Sequence, residues 1–220
     1  MNQNPFTRPY DLLPSVLPLF PWSQSTILPG CQLPLNIFEP RYLNLIFDAL
    51  GQGRLVGVIQ PVSDSGKDPN PPLFHTGVAG RVVSYAETPD NRLLLVLTGV
   101  CRFDVEEETL SNKGYRQARV DWSRYGIDFR YSDEIPHDRQ RLFSVAKDYF
   151  KRKKLDTNWD TLNQMPTVLL VNFLCSQLPF SVAERQSLIE TIPPQERLTR
   201  LQEFMAFEIA ADVLSLRGQH

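Results

Sequence analysis

Few residues in this chain combine the types and spacing that chemistry requires. Ser144-Val145-Ala146-Lys147 has the S-x-x-K spacing in which a lysine amine can take the proton of a serine hydroxyl. Its companion patterns S-D-N and K-T-G are absent, so a solvated pair on a helix is the simpler reading. Ser65-Gly66-Lys67 lacks the earlier glycine and the following hydroxyl residue of a phosphate loop. Gly51-Gln52-Gly53 opens like a dinucleotide fingerprint, but Val56 stands where the third glycine belongs, and the stretch follows a helical pattern instead of a strand. His75, His137 and His220 are scattered, without metal-ligand spacing. Glu106-Glu107-Glu108 falls in a strand pattern, where neighbouring carboxylates should point to opposite faces and not converge. Lys151-Arg152-Lys153-Lys154 is the single basic run. With Tyr149, Phe150 and Trp159 nearby it has the ingredients of a nucleic-acid patch, but at a helix C-terminus it also complements the dipole.

Composition narrows the classes further. The chain has 220 residues, 42% of them hydrophobic and 22% charged, with a formal charge of −2. That balance supplies no general attraction to nucleic acid or anionic membrane. The longest apolar runs, Leu93–Leu97 and Val168–Val171, fall far short of the ~20 residues of a membrane span. The first residues carry Pro14 and Pro18 inside their apolar part and read as no secretory signal, so a cytoplasmic protein is expected. Cys31, Cys101 and Cys175 are odd in number and form no Cys-x-x-Cys, so buried, unpaired thiols and no metal or other cofactor are expected.

The elements around these residues divide the chain. Residues 1–14 read as a leader and 15–125 as a β-rich lobe. Residues 126–136 read as a linker and 137–220 as a helical lobe. The stretch from Leu17 to Pro21 is extended, because proline fixes φ and biases its predecessor toward β. Pro29-Gly30 is a turn signal, and Pro34 in the next strand belongs on an edge or at a bulge. The period then changes: Tyr42, Leu45, Ile46 and Ala49 share one face of a helix over 40–50, with Gly51 as its C-cap. Pro61–Gly77 is a polar, proline-rich loop. Two strands surround a turn near Pro89-Asp90-Asn91, a further strand runs through Cys101–Glu106, and 115–122 closes the β-rich part. Helices are predicted over 137–154 and 160–177, after the capping box Ser181–Glu184, and from Pro193-Pro194 onward.

Several spaced motifs, in order, resemble those of the Lon N-terminal domain, the substrate-recognition module of ATP-dependent Lon proteases. They are Leu17-Pro18-Leu19-Phe20-Pro21, Leu28-Pro29-Gly30, Leu33-Pro34-Leu35 and Ile37-Phe38-Glu39-Pro40-Arg41-Tyr42. Gly99 and Arg102 match a later hairpin, and residues 169–201 match the family's helical region, so the resemblance covers about 15–207. It implies an α+β fold: a twisted, PUA-like pseudobarrel with a short helix that plugs it, followed by a helical bundle. It also implies mainly architectural roles for Pro21, Pro29, Gly30, Phe38, Glu39, Pro40, Arg41, Tyr42, Gly99 and Arg102. Full Lon proteases carry ATPase and Ser-Lys protease modules; neither a Walker motif nor the protease signature occurs here. The resemblance therefore implies a non-catalytic module that binds unfolded polypeptide or a specific protein partner, in protein quality control, with a separate Lon protease as one candidate partner. An RNA-binding PUA-like protein is the alternative, and the acidic balance counts against it. Trp22, Leu73 and Phe74, apolar residues in proline-rich loops, are the candidate polypeptide contacts.

Overall fold

The computed structural model describes residues 8–62, 68, 70–130 and 139–217, with side chains to residue 211. Ser65–Lys67, His137, His220 and parts of the expected leader, loop and linker lie outside the described residues.

Six strands form one sheet: β1 (Val16–Pro21), β2 (Gln32–Ile37), β3 (Leu55–Ile59), β4 (Thr76–Glu87), β5 (Leu93–Leu110) and β6 (Arg116–Asp121). Their order is β2-β5-β4-β3-β1-β6, and β6 also pairs with β5. That last pairing closes β6, β1, β3, β4 and β5 into a barrel, leaving β2 outside it on the first half of β5. The two expected strands over 93–106 are one 18-residue strand, because irregular pairings near Gly99 and Glu106 bend β5 without ending it.

The prolines follow from the pairing. Pro34 lies on β2, which has a neighbour on one side only. β1 is interior, yet Pro18 pairs with β6 before the β3 pairing begins, and Pro21 pairs with β3 after the β6 pairing ends. Each proline thus sits where one flank needs no ladder donor.

Two cores share the sheet. Leu17, Leu19, Leu55, Ile59, Ala79, Phe103, Ala118 and Val120 fill the barrel interior. The opposite faces of β1, β3 and β4, through Phe20, Val56, Val58, Val78 and Val82, belong to a larger core with the helices. β3 is buried at every position because it lies between the two. The expected plug is corrected here: α1 (Pro40–Gly51) turns Leu45, Ile46 and Ala49 into the larger core, outside the barrel interior. Its terminator is also shifted. Gly51 is still helical, and the left-handed residues are Gly53 (φ 97°) and Arg54 (φ 66°), whose N–H returns to the Ala49 carbonyl at 2.7 Å.

The helical part comprises α2 (Arg139–Lys153), α3 (Trp159–Gln164), α4 (Thr167–Gln177), α5 (Val182–Glu190) and α6 (Pro194–Arg217). The single helix expected over 160–177 is broken at Pro166, whose ring forces Met165 into an extended conformation. The capping box at Ser181 and Glu184 starts α5 as expected. Across the boundary between the β-rich lobe and the segment read as a linker, a 3-10 helix spans Ser123–Phe129 and buries Asp128.

Polar groups hold the helices on the sheet. Arg102 of β5 donates to the carbonyls of Ile189 (3.0 Å) and Thr191 (2.7 Å) at the end of α5. Arg197 of α6 donates to the same Thr191 carbonyl at 2.8 Å and to Asn172 Oδ1 at 2.6 Å. Asn172 in turn donates to the Pro29 carbonyl at 2.9 Å. Two fully buried arginines thereby satisfy the terminal carbonyls that a helix leaves unpaired.

Candidate functional site

A cavity of about 610 Å³ opens where the end of β1, the strand β2 and the start of α1 meet. Trp22, Pro34, Phe38, Glu39, Arg41 and Tyr42 line it, and Pro61, Asp68 and Pro71 bring the proline-rich loop to its rim. Strand alternation explains the lining. Leu33, Leu35 and Ile37 of β2 turn inward, so Pro34, Asn36 and then Phe38 turn outward. Pro40 at the first helical position starts α1 at once, and Arg41 and Tyr42 follow on its first turn.

The side chains form a chain of contacts. Trp22 stacks on Phe20 at 5.6 Å and donates through Nε1 to Ser25 Oγ at 3.0 Å. Phe20 meets the edge of Tyr42 at 4.8 Å, and the Arg41 guanidinium lies 4.6 Å from the Tyr42 ring centre. Arg41 also pairs with Glu39 at 3.0 Å. Burial pushes the Tyr42 phenol up from its ordinary range, so it stays neutral at physiological pH. Besides the Glu39–Arg41 pair, Ser23, Gln24 and Asn36 bring polar groups to a lining whose apolar part is Trp22, Phe38 and Tyr42. Phe38 is 59% exposed at the mouth.

A second hollow, about 450 Å³, lies on the other side of β2. Its floor crosses three strands: Pro34 pairs with Val96 and Asn36 with Leu94, and Ser84 and Ala86 of β4 complete the rows. Tyr85 and Leu94 remain about half exposed there. The site is thus a hollow of mixed lining and a second, largely apolar one, divided by an edge strand and suited to extended chain more than to a compact ligand.

The structure brings Pro21, Trp22, Phe38, Glu39, Arg41 and Tyr42 together around this groove. Pro29, Gly30 and Gly99 lie elsewhere, where two chain segments cross, and Arg102 is at the sheet–helix contact. Leu73 and Phe74 do not line the groove. Leu73 packs on the barrel core and bridges to Pro61, and Phe74 is half-buried with its N–H on the Gln60 carbonyl at 2.9 Å. Sequence reasoning missed the second hollow, because Tyr85 and Leu94 become neighbours of Pro34 only through strand pairing.

The residues with chemical potential take structural positions. Ser144 is exposed, and the Lys147 ammonium lies over the Trp159 ring. His75 is exposed, with Nδ1 3.4 Å from Asp104 Oδ1. That oxygen already accepts from Thr76 at 2.7 Å and Tyr125 at 2.8 Å. Glu106 and Glu107 do converge, contrary to strand alternation: the bulge between Val105 and Glu107 lets both reach Arg119 at 2.9 Å. In the basic run, Lys153 pairs with Glu208 at 2.9 Å and Tyr149 and Phe150 are buried, so these aromatics offer no stacking face there. The three cysteines are free and buried; burial pushes Cys31 up to about 11 and Cys175 up to about 12, and Cys101 is also raised. Among the described residues no group of three or more His, Cys, Asp or Glu side chains is placed to hold a metal ion, and no helix is long and apolar enough to cross a membrane.

The protein is thus α+β, with a twisted six-strand sheet, a helical region and an open groove at the sheet's edge. The family model of the ATP-dependent protease La (LON) substrate-binding domain matches residues 16–206, and the chain belongs to that family. It is 24% identical to the Lon protease of Flavobacterium johnsoniae over 209 residues, covering 90% of this chain and 24% of that protein. It is 26% identical to the Lon protease of Parabacteroides distasonis, covering 94% of this chain and 26% of that protein. The chain therefore spans about a quarter of the length of these curated relatives. A crystal structure of a Lon N-terminal domain protein from Xanthomonas campestris superposes with a TM-score of 0.64 at 26% identity, covering 86% of this chain and 98% of that one. The N-terminal domain of the Mycobacterium avium complex Lon protease shares the fold, with a TM-score of 0.58 at 15% identity, covering 87% of this chain and 98% of that one.

Proposed function

We propose that the groove between β1, β2 and α1 captures exposed apolar segments of other polypeptides, without chemical action on them. The observation that carries this reading is the placement of the family motif. Pro21, Phe38, Glu39, Arg41 and Tyr42 surround an open hollow, and Phe38 keeps 59% of its surface in solvent. Family membership supports protein binding as the role. In this reading the protein serves quality control in the cytoplasm and hands bound chains to a separate ATP-dependent protease. Trp22, Phe38 and Tyr42 make the contacts. Leu73 holds the proline-rich loop so that Pro61, Asp68 and Pro71 form the rim.

Fluorescence anisotropy with a labelled, carboxymethylated unfolded protein tests it. Phe38→Asp places a charge in the mouth and is expected to weaken binding about tenfold while leaving the melting temperature in place. Unchanged binding by that folded variant would discard the groove. Salt-sensitive binding of an RNA oligonucleotide, with none of the unfolded protein, would replace this reading with the nucleic-acid alternative.

A further inference from the structure

A second surface, on the helical part, has a different chemistry. A cavity of about 340 Å³ lies between α2 and α3, lined by Arg139, Phe143 and Lys147 from α2 and by Trp159, Asp160 and Asn163 from α3. Its apolar walls are Phe143 and Trp159, with ring centres 6.2 Å apart. Arg139 is held at its upper end: the guanidinium donates to the carbonyls of Leu162, Asn163 and Met165 at 2.8–3.1 Å and lies 5.4 Å from the Phe143 ring. It thus delivers a fixed positive charge whose hydrogen-bond partners are neutral.

The helix continues that charge away from the hollow. Positions 139, 143, 147 and 151 are spaced by four and share one face of α2. Lys147 and Lys151 are exposed, and Lys154 follows just beyond the helix at a left-handed residue (φ 54°). Among the described residues Lys147, Lys151 and Lys154 have no carboxylate partner, whereas neighbouring Lys153 pairs with Glu208. The result is a row of cations about 22 Å long beginning at a ring-walled hollow, on a chain whose net charge is −2.

We propose that this row binds an acidic, extended polypeptide segment of about seven residues that seats one large apolar side chain in the hollow, against the contacting rings of Phe143 and Trp159. Charge complementarity selects the acidic backbone partner, and the hollow selects the apolar residue. The same features disfavour single-stranded nucleic acid. One face of the Trp159 ring is covered by the Lys147 ammonium at 5.7 Å and Phe150 packs against the ring at 5.2 Å, so it offers no platform for a base.

The test uses the full chain and a fluorescein-labelled peptide, Glu-Asp-Glu-Phe-Glu-Asp-Glu. Binding is expected, and it should weaken steeply between about 50 mM and about 500 mM salt. The double variant Lys147→Glu/Lys151→Glu should lose at least about tenfold in affinity with an unchanged melting temperature, since both side chains are exposed. Replacing the peptide's Phe by Ser should weaken binding by a similar factor, and Phe38→Asp should leave it unaltered, which separates this surface from the groove. Failure of the wild-type protein to bind, equal affinity of the double variant, equal affinity for the Ser peptide, or tighter binding of a heptauridylate would each overturn the proposal.

Discussion

Arg102 and Asp128 form a two-pronged buried pair. Arg102 Nη2 donates to Asp128 Oδ1 at 2.7 Å, and its Nε and backbone N–H donate to Oδ2 at 3.0 and 2.9 Å. Both side chains are fully buried, and the remaining guanidinium nitrogen, Nη1, reaches the end of α5. One side chain therefore ties β5, the 3-10 helix at Ser123–Phe129 and the helical part together.

Removing one partner of such a pair strands the other charge in the interior. Arg102→Met is expected to lower unfolding stability by about 3–5 kcal/mol in urea titrations, and Asp128→Leu in the same chain should restore part of the loss. A loss of under about 1 kcal/mol for Arg102→Met would show that water reaches the site.

Gly99 answers to a different constraint. A Cβ there would lie 2.3 Å from the Leu28 carbonyl oxygen, because Gly30 and Cys31 exchange backbone hydrogen bonds with Gly99 at 2.9 Å. The obstacle is backbone, so it cannot swing aside as a side chain would. Gly99→Ala should cost about 3 kcal/mol, read as a lowered melting temperature, with the far-ultraviolet spectrum retained. A neutral effect would mean the crossing of the two segments can widen.

Much of this arrangement was legible in the residues, and the failures have physical causes. Alternation located β2 and β4, and the change of period located α1, because both signals are local. The break at Pro166 was also local, but the strongly apolar run around it masked it. The continuity of β5 was hidden because its bends arise from pairing partners distant in sequence. The groove was half legible: Phe38, Glu39, Arg41 and Tyr42 lie in one motif, but their convergence with Trp22 needs the β1–β3 pairing. Arg102 stood out only through the family resemblance, and Asp128, Asn172 and Arg197 read as ordinary polar residues. Nothing local marks which of many arginines will be buried, since burial is decided by the docking of helices onto the sheet.

Acid stability should depend on Asp104. Burial alone would raise its carboxyl, but hydrogen bonds from Thr76, Tyr125 and Arg124 outweigh that and hold it below the ordinary range. A carboxyl with a depressed folded value stabilises the protein above its unfolded value of about 3.9, and the contribution is lost as pH falls through the folded value. Asp104→Asn should therefore be less stable than wild type at pH 6, and the gap should narrow below about pH 4. A gap that stays constant over that range would assign the effect to packing alone.

The proline-rich loop separates anchoring from contact. Leu73 packs on the barrel core, and the Arg116 guanidinium fixes the Pro71 carbonyl at 2.6 Å, so the loop's apolar end is fastened from two sides. Phe74 is half-buried beside it, outside the groove lining. If Phe74 is an anchor, Phe74→Ser should cost more than the ±0.5 kcal/mol or so typical of surface changes, approaching the roughly 3 kcal/mol of a truncated core phenylalanine. Binding of the unfolded protein should then persist in the fraction that stays folded. If Phe74 is a contact, stability should hold and affinity should drop. We expect the first pattern, because the backbone N–H of Phe74 is already tied to Gln60, which itself bonds Gln186 of α5 at 3.0 Å. A stable variant with weakened binding would move the contact surface from the Trp22–Tyr42 groove to the loop.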